Sequence, residues 1–251
     1  MQIIGNTDIG CVRKVNQDYY TNRIISQSLG FSIVCDGMGG TGGGEVASKM
    51  ATEFIVKELD EKINDQTPIS EINNIIIEAV VGANTAVHAH SEINSELKGM
   101  GTTVVVIVVK DKKIFGVSDG DSRLYKINVA NNQITQITND HTVVQFLLEQ
   151  GEITREQAEN HPQKHYITRA IGVEEYIETD SFESEFTDDD IVLICTDGLY
   201  NFMNIDEIKK KTIDSVQVGS VRPLIDLANT NGGGDNITAV VITHRLTGGG
   251  Y

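Results

Sequence analysis

The side chains best placed to do chemistry in this sequence are aspartates that stand beside glycine where apolar, strand-like runs begin or end. Asp36-Gly37 follows FSIVC, Asp197-Gly198 follows IVLICT, and a GGG run leads into Asp235-Asn236 at the head of NITAVVITH. A fourth group, Asp119-Gly120-Asp121, lies between two further strand-like runs. Carboxylates gathered at strand ends repel one another, and a divalent cation held by oxygen ligands (Mg²⁺, Mn²⁺ or Ca²⁺) offsets that repulsion. Neighbouring glycine permits a sharp turn and lets backbone carbonyls and water come close to such an ion. The competing reading is a set of plain turns, and for Asp119-Gly120 taken alone a hairpin turn is favoured. A turn explains one glycine after Asp36, but VCDGMGGTGGGE has six in twelve residues. Residues alone leave both readings open.

The elements that must position these aspartates are legible in outline. FSIVC (31–35) predicts a buried strand, and 44–63 a helix with Val46, Met50, Phe54 and Val56 on one side. Thr67-Pro68 reads as an N-cap followed by proline at the first helical position, opening a long helix over about 68–95. The chain then turns β-rich: TTVVVIVV, KKIFGVS, SRLYKINV and QITQIT follow one another with short links. Two short helical segments, TVVQFLLEQG and TREQAEN, precede a strand at 189–196, helices at 204–213 and 220–230, and a last strand at 236–244. This order predicts an α+β protein with stacked antiparallel sheets covered by helices, not a βαβ sheet.

Bulk properties narrow the function. The 251 residues carry 20 Lys and Arg against 36 Asp and Glu, a formal net charge of -16. Nucleic acid and anionic membrane need a basic footprint, so neither is expected as a partner. The acidic excess fits solubility, or carboxylates neutralised by cations. No apolar run reaches the roughly 18 residues that span a bilayer, and the first residues carry no basic, apolar leader; a cytoplasmic protein is expected. Cys11, Cys35 and Cys195 form no disulfide framework, and none has Arg six positions on, so a cysteine-nucleophile phosphatase loop is absent. Cys35 and Cys195 read as core residues. The glycine loop lacks the Gly-Lys-Ser/Thr of a P-loop, and a dinucleotide fingerprint is weak.

The motifs, taken together and in order, resemble the PPM (PP2C-like) metal-dependent protein serine/threonine phosphatases of bacteria. The resemblance runs over nearly the whole chain through TDIGCVRKVNQD (7–18), CDGMGG (35–40) with GEVAS (44–48), GMGTTVV (99–105), GDSRLY (120–125), NDHT (139–142), GEIT (151–154), HPQKHYITRAIG (161–172), CTDGL (195–199) and GGGDNITAVV (232–241). It implies one catalytic domain over 1–251, a central β-sandwich flanked by helix pairs in α-β-β-α layers, and a mobile flap at about 143–180. By motif position it implies that Asp36 bridges two Mn²⁺ or Mg²⁺ ions, that the Gly37 carbonyl binds one, and that Asp197 and Asp235 complete the first ion's shell. Asp18 serves the second ion through water, and Asp121 with Asp197 matches a third, giving two to three ions per chain. Arg13 matches the arginine that binds substrate phosphate. The implied reaction is attack of a metal-bridged hydroxide on phosphoserine or phosphothreonine, reversing a bacterial Ser/Thr kinase; a monomer is the family's usual state.

Departures from the family pattern are few. Met38 stands where animal and plant relatives often carry a histidine able to protonate the leaving alkoxide, so water or another group must do so here. Thr41 and Gly43 replace frequent His and Ala, which predicts a looser loop; Thr196 replaces a common serine, and His165 stands where asparagine is usual. Elsewhere, Arg123 reads as a structural partner for a carboxylate and Arg169 as a remote substrate contact. His161 and His165 read as non-ligands, His88 and His90 as surface or edge residues, and Asp188 to Asp190 as a solvated run. Two rival functions remain at this stage: a phosphohydrolase for a small ester or dedicated regulator, and a non-catalytic module that captures phosphoproteins.

Overall fold

The structure is a computed structural model that describes residues 1–40 and 42–244. Its strands are β1 (Gln2–Asp8), β2 (Asp18–Ile24), β3 (Leu29–Met38), β4 (Gly101–Thr102), β5 (Val104–Lys110), β6 (Lys113–Asp119), β7 (Arg123–Asn128), β8 (Gln133–Gln136), β9 (Asp180–Glu185), β10 (Asp190–Cys195) and β11 (Ile237–Thr243). Its helices are α1 (Gly43–Lys62), α2 (Ile69–Ile93), α3 (Val143–Glu149), α4 (Arg155–Glu159), α5 (Asp197–Tyr200), α6 (Ile205–Val218) and α7 (Arg222–Thr230). One sheet runs β1-β11-β10-β7-β8 and the other β2-β3-β5-β6-β9, with β4 paired to β3. Every pairing between named strands is antiparallel.

Period-2 alternation builds three apolar layers from these strands. Phe31, Ile33 and Cys35 of β3 and Val104, Val106 and Val108 of β5 face α1 and α2, meeting Ala51, Ile55, Ile76 and Val80. The intervening Val34, Val105, Ile107 and Val109 face the other sheet, against Leu124, Val192, Ile194, Val240 and Ile242. Leu193, Cys195, Ala239 and Val241 point outward again, under Leu224, Ile225 and Ile208 of the second helix pair. β5 and β10 are buried at every position because both faces are covered, which is why they read as continuous apolar runs. The α-β-β-α layering expected from the sequence is therefore what the chain forms.

Several local expectations need correcting. Thr67 does not cap α2: its hydroxyl accepts from Asn64 N and donates to the Lys62 carbonyl, closing the turn, and Pro68 is the cap residue. Asp119-Gly120 is no hairpin turn, since it carries the chain from β6 in one sheet to β7 in the other. Asp190 is buried rather than solvated, with Thr187 N and Oγ1 and Asn128 Nδ2 all donating to its carboxylate. β3 runs on to Met38, so Asp36 and Gly37 lie inside the strand. Thr41, expected to loosen the metal loop, lies outside the described residues, while Gly43 opens α1.

Candidate active site

The carboxylates converge because the elements that carry them end at one rim of the sandwich. Asp18 and Asp36 are cross-strand partners in the β2–β3 register, so their side chains share one face. Asp197 opens α5 directly after β10, Asp235 stands two residues before β11, and Asp121 lies between β6 and β7. A cavity of about 490 Å³ is lined by Arg13, Asp36, Gly37, Asp121, Asp197 and Asp235, with Gln17, Met38, His165, Asn201 and Asn236 completing its wall. Six of the seven residues singled out from the sequence thus share one cavity. Asp18 is not part of the cavity lining; it is buried beside Asp36 on the neighbouring strand.

Backbone packing at the rim explains part of the glycine content. A Cβ on Gly37 would run into the carbonyls of Gly44 and Gln17, and one on Gly198 into the carbonyl of Asn236. Strand β3 and the start of α1 therefore approach to within backbone contact, as do the α5 turn and the residue just before β11, which only glycine allows. Gly37 N donates to the Gln17 carbonyl at 3.0 Å, tying the segment before β2 to the end of β3.

The electrostatics of the cluster are unfavourable as the protein alone provides them. Burial pushes the Asp36 carboxyl well above the ordinary carboxylate range, and the charges of Asp18, Asp197, Asp121 and Asp235 push it further. Burial, then Asp121 and Asp235, raises Asp197 to about 8. Burial raises Asp121 to about 6, with Asp140 adding and Arg123 opposing. Asp18 also rises to about 6, mainly through burial, although Thr238 Oγ1 at 2.6 Å and Thr196 Oγ1 at 2.9 Å donate to its Oδ2. Its Oδ1 is buried and has no partner. Asp36 and Asp197 each keep part of their surface open to the cavity. An all-oxygen donor set with excess negative charge and an orphaned carboxylate oxygen fits a hard divalent cation. Among the described residues no three His, Cys, Asp or Glu side chains close in tightly enough to enclose an ion by themselves.

Arg13 is the cation of the cleft. Its Nη2 pairs with Asp235 Oδ2 at 2.7 Å while half the side chain stays exposed, and that partner raises its pKa. Sequence reasoning missed the residue that holds the Arg13 loop in place. Asn236 Oδ1 accepts from Gln17 N, and its Nδ2 donates to the carbonyls of Ile9 and Val15. Thr7 and Thr238 were also missed, and Thr196 was read only as a replacement for serine; the three form the hydroxyl chain that ends on Asp18. These partners lie more than 200 positions from Asp18 or Gln17 in several cases, so no local pattern marks them.

Arg123 is structural, as expected: Nε and Nη2 donate to Asp140, and the guanidinium stacks 3.6 Å over Tyr200, whose hydroxyl donates to the Asp121 carbonyl. Arg169 packs at the root of the segment after α4, against Asp180, buried Asp119 and His141. His161 Nδ1 accepts from Gln163 N, and the ring of His88 approaches the Gly172 carbonyl.

The fold and this constellation define an acidic-cleft phosphoester hydrolase, and similarity to known proteins places it among its relatives. The family description of protein phosphatase 2C matches residues 12–232. A serine/threonine phosphatase, stp, of Listeria monocytogenes is 35% identical over 244 residues, covering 96% of this chain and 95% of that protein. The crystal structure of the serine/threonine phosphatase Stp1 from Staphylococcus aureus superposes with a TM-score of 0.86 at 33% identity, over 96% of this chain and 93% of that one. The catalytic domain of the serine/threonine protein phosphatase PstP in complex with two manganese ions superposes with a TM-score of 0.81 at 32% identity, over 96% of both chains. The chain belongs to the protein phosphatase 2C family, the serine/threonine phosphatases.

Proposed function

We propose that this protein hydrolyses phosphoserine and phosphothreonine on proteins in a reaction that depends on Mn²⁺ or Mg²⁺, and that it reverses the action of a Ser/Thr kinase in the cytoplasm as a monomer. The observation that carries the reading is the convergence of Asp36, Asp121, Asp197 and Asp235 on one cavity that also holds Arg13. Asp36, the Gly37 carbonyl, Asp197 and Asp235 are proposed to hold the first ions, Asp121 with Asp197 a third, and Asp18 to act through water. Bound divalent cations supply acidity to coordinated water and offset charge on the transferring phosphoryl group.

The chain's own residues do the rest. Arg13 swings from Asp235 to phosphate oxygens, where its planar fork donates two parallel hydrogen bonds that lysine cannot reproduce. Asn236 keeps that loop in register with the cluster. Residues 143–180 are proposed as a flap beside the cleft, and Ile167 from this segment reaches the cavity wall. No phosphorylated enzyme is needed, in keeping with Cys35 and Cys195 buried and with burial holding both thiols up to about 12. Among the described residues no helix is long and apolar enough to cross a membrane.

The test is phosphate release from a phosphothreonine peptide with Mn²⁺, with Mg²⁺ and with chelator, on wild type and Asp235→Ala. Release that requires the added ion and collapses in the variant is expected. Release without metal, unchanged by the substitution, would overturn the proposal.

A further inference from the structure

A serine or threonine alkoxide is a strong base, so its departure from phosphorus depends on a positioned proton donor far more than departure of an aryl oxide does. The cleft is poor in such donors. Its four carboxylates are engaged by the ions of the proposed function, Arg13 holds its protons at all working pH values, and Gln17, Asn201 and Asn236 are amides. One imidazole lines the cavity, that of His165. Histidine is the side chain whose charged and neutral forms are both ordinarily accessible near neutral pH.

His165 reaches the cavity from the segment between α4 and β9, whereas the carboxylates come from the sandwich. The residue is exposed, and its ring takes part in no hydrogen bond, ion pair or ring contact among the described residues. Its backbone, by contrast, is held on both sides. Tyr166 N donates to the Gln163 carbonyl at 3.0 Å, Val143 N donates to the Tyr166 carbonyl at 2.9 Å, and Ile167 bridges Thr142. The neighbouring His141 accepts from Gly120 N at 3.0 Å, which ties the same anchor to the loop that carries Asp121. The His165 ring therefore has no competing partner inside the protein and stands at the mouth of the phosphate cleft, where it is free to meet a leaving oxygen.

We infer that His165 is a catalytic residue, the general acid that protonates the departing serine or threonine oxygen. The inference rests on the phosphatase reading above. Oxygen of the attacking water bonds to phosphorus as the bond from phosphorus to the side-chain oxygen breaks, and the electron pair of that bond stays on the leaving oxygen. The N–H proton of the imidazolium moves to that oxygen, giving a free hydroxyl, inorganic phosphate and neutral imidazole. Solvent returns a proton to the ring and takes the one lost by the water.

The experiment compares wild type, His165→Asn and His165→Gln in the full chain with Mn²⁺, on a phosphoserine peptide and on para-nitrophenyl phosphate. Both replacements keep polarity at an exposed position but cannot give up a proton. With the peptide, kcat is expected to fall about 100-fold. The fall on the aryl ester is expected to be smaller by a factor of about ten or more, because its leaving group needs little protonation. Across substituted phenyl phosphates the variants become more sensitive to leaving-group basicity than wild type. An equal loss on both substrates, or no loss on the peptide, would overturn the assignment while leaving the phosphatase reading intact. A wild type inactive on both substrates would instead sink that reading.

Discussion

Asp36-Gly37 and Asp119-Gly120 are alike in sequence and close in place: Asp36 lies two residues inside the end of β3, Asp119 is the last residue of β6 in the same sheet, and each is packed into the protein. Their surroundings differ. Asp119 is buried opposite a cation that the chain itself supplies, Arg169 Nε at 3.4 Å, with the His141 ring packed beside it, and Asp180 holds those two in turn. Asp36 is surrounded by four further carboxylates, with Arg13 the cationic side chain of its cavity. One acidic strand end is thus internally neutralised and serves as a structural joint. The other is left with negative charge that the chain does not offset, and the proposed function assigns that excess to bound cations. A single local motif takes either role according to which charges the topology brings opposite it.

The sharpest way to break this comparison is to remove each charge in turn. Asp36→Asn should abolish turnover, at least about 10³-fold in kcat, since several kcal/mol of cation-borne stabilisation of the transition state goes with it. The metal-free variant should nevertheless melt higher than wild type, by roughly 2–4 °C for each kcal/mol of repulsion relieved; differential scanning calorimetry checks this. Asp119→Ala should do the opposite. Leaving Arg169 without its buried partner costs about 3 kcal/mol, at the low end because Arg169 is part exposed, and lowers the melting temperature by about 10 °C. A destabilised Asp36→Asn or an unaffected Asp119→Ala would remove the contrast.

Acidity sharpens the same point. The native carboxyls of Asp18 and Asp121 at about 6 and Asp197 at about 8 lie above the ordinary carboxylate range. In chelator the native state therefore holds protons that the unfolded chain has released. Stability is greatest below the ordinary range and is lost as pH rises through about 6 and then about 8, by about 1.4 kcal/mol per pH unit for each excess proton. Saturating Mn²⁺ should flatten that slope, as urea titrations at pH 5 to 8 would reveal. The smallest effect is expected at Arg123→Lys, which keeps the charge but loses the paired donors to Asp140 and the stacking on Tyr200. About 1 kcal/mol of stability should go, with a modest rise in KM for the metal if the Tyr200 contact to Asp121 loosens.

How much of this was legible in the sequence depended on whether the information was local. β5, β10 and β11 announce themselves as apolar runs, and α1 and α2 by their spacing, because burial on a face imprints a period. β1 and β2 went unread: QIIGNTD is half-buried throughout, and DYYTNRI keeps a single fully buried position. β9, DSFESE, alternates but offers few apolar side chains. Aspartates 36, 197 and 235 stood out because glycine beside a buried strand is locally odd. Asp119 carries the same local mark and was read as a turn, since its true partners lie about 20 to 60 positions on. Asn236 carried no mark, because its role is to hold a loop some 220 residues away.

The place of β11 has a consequence for synthesis. It fills the slot between β1 and β10, so that Thr238 bonds to Thr7 across 231 positions, and Asp235 stands just ahead of it. A growing polypeptide still short of that strand has an open groove in one sheet and lacks a carboxylate and the Asn236 latch together. The cleft can therefore be completed only in one step, when β11 enters its slot and brings Asp235 and Asn236 with it.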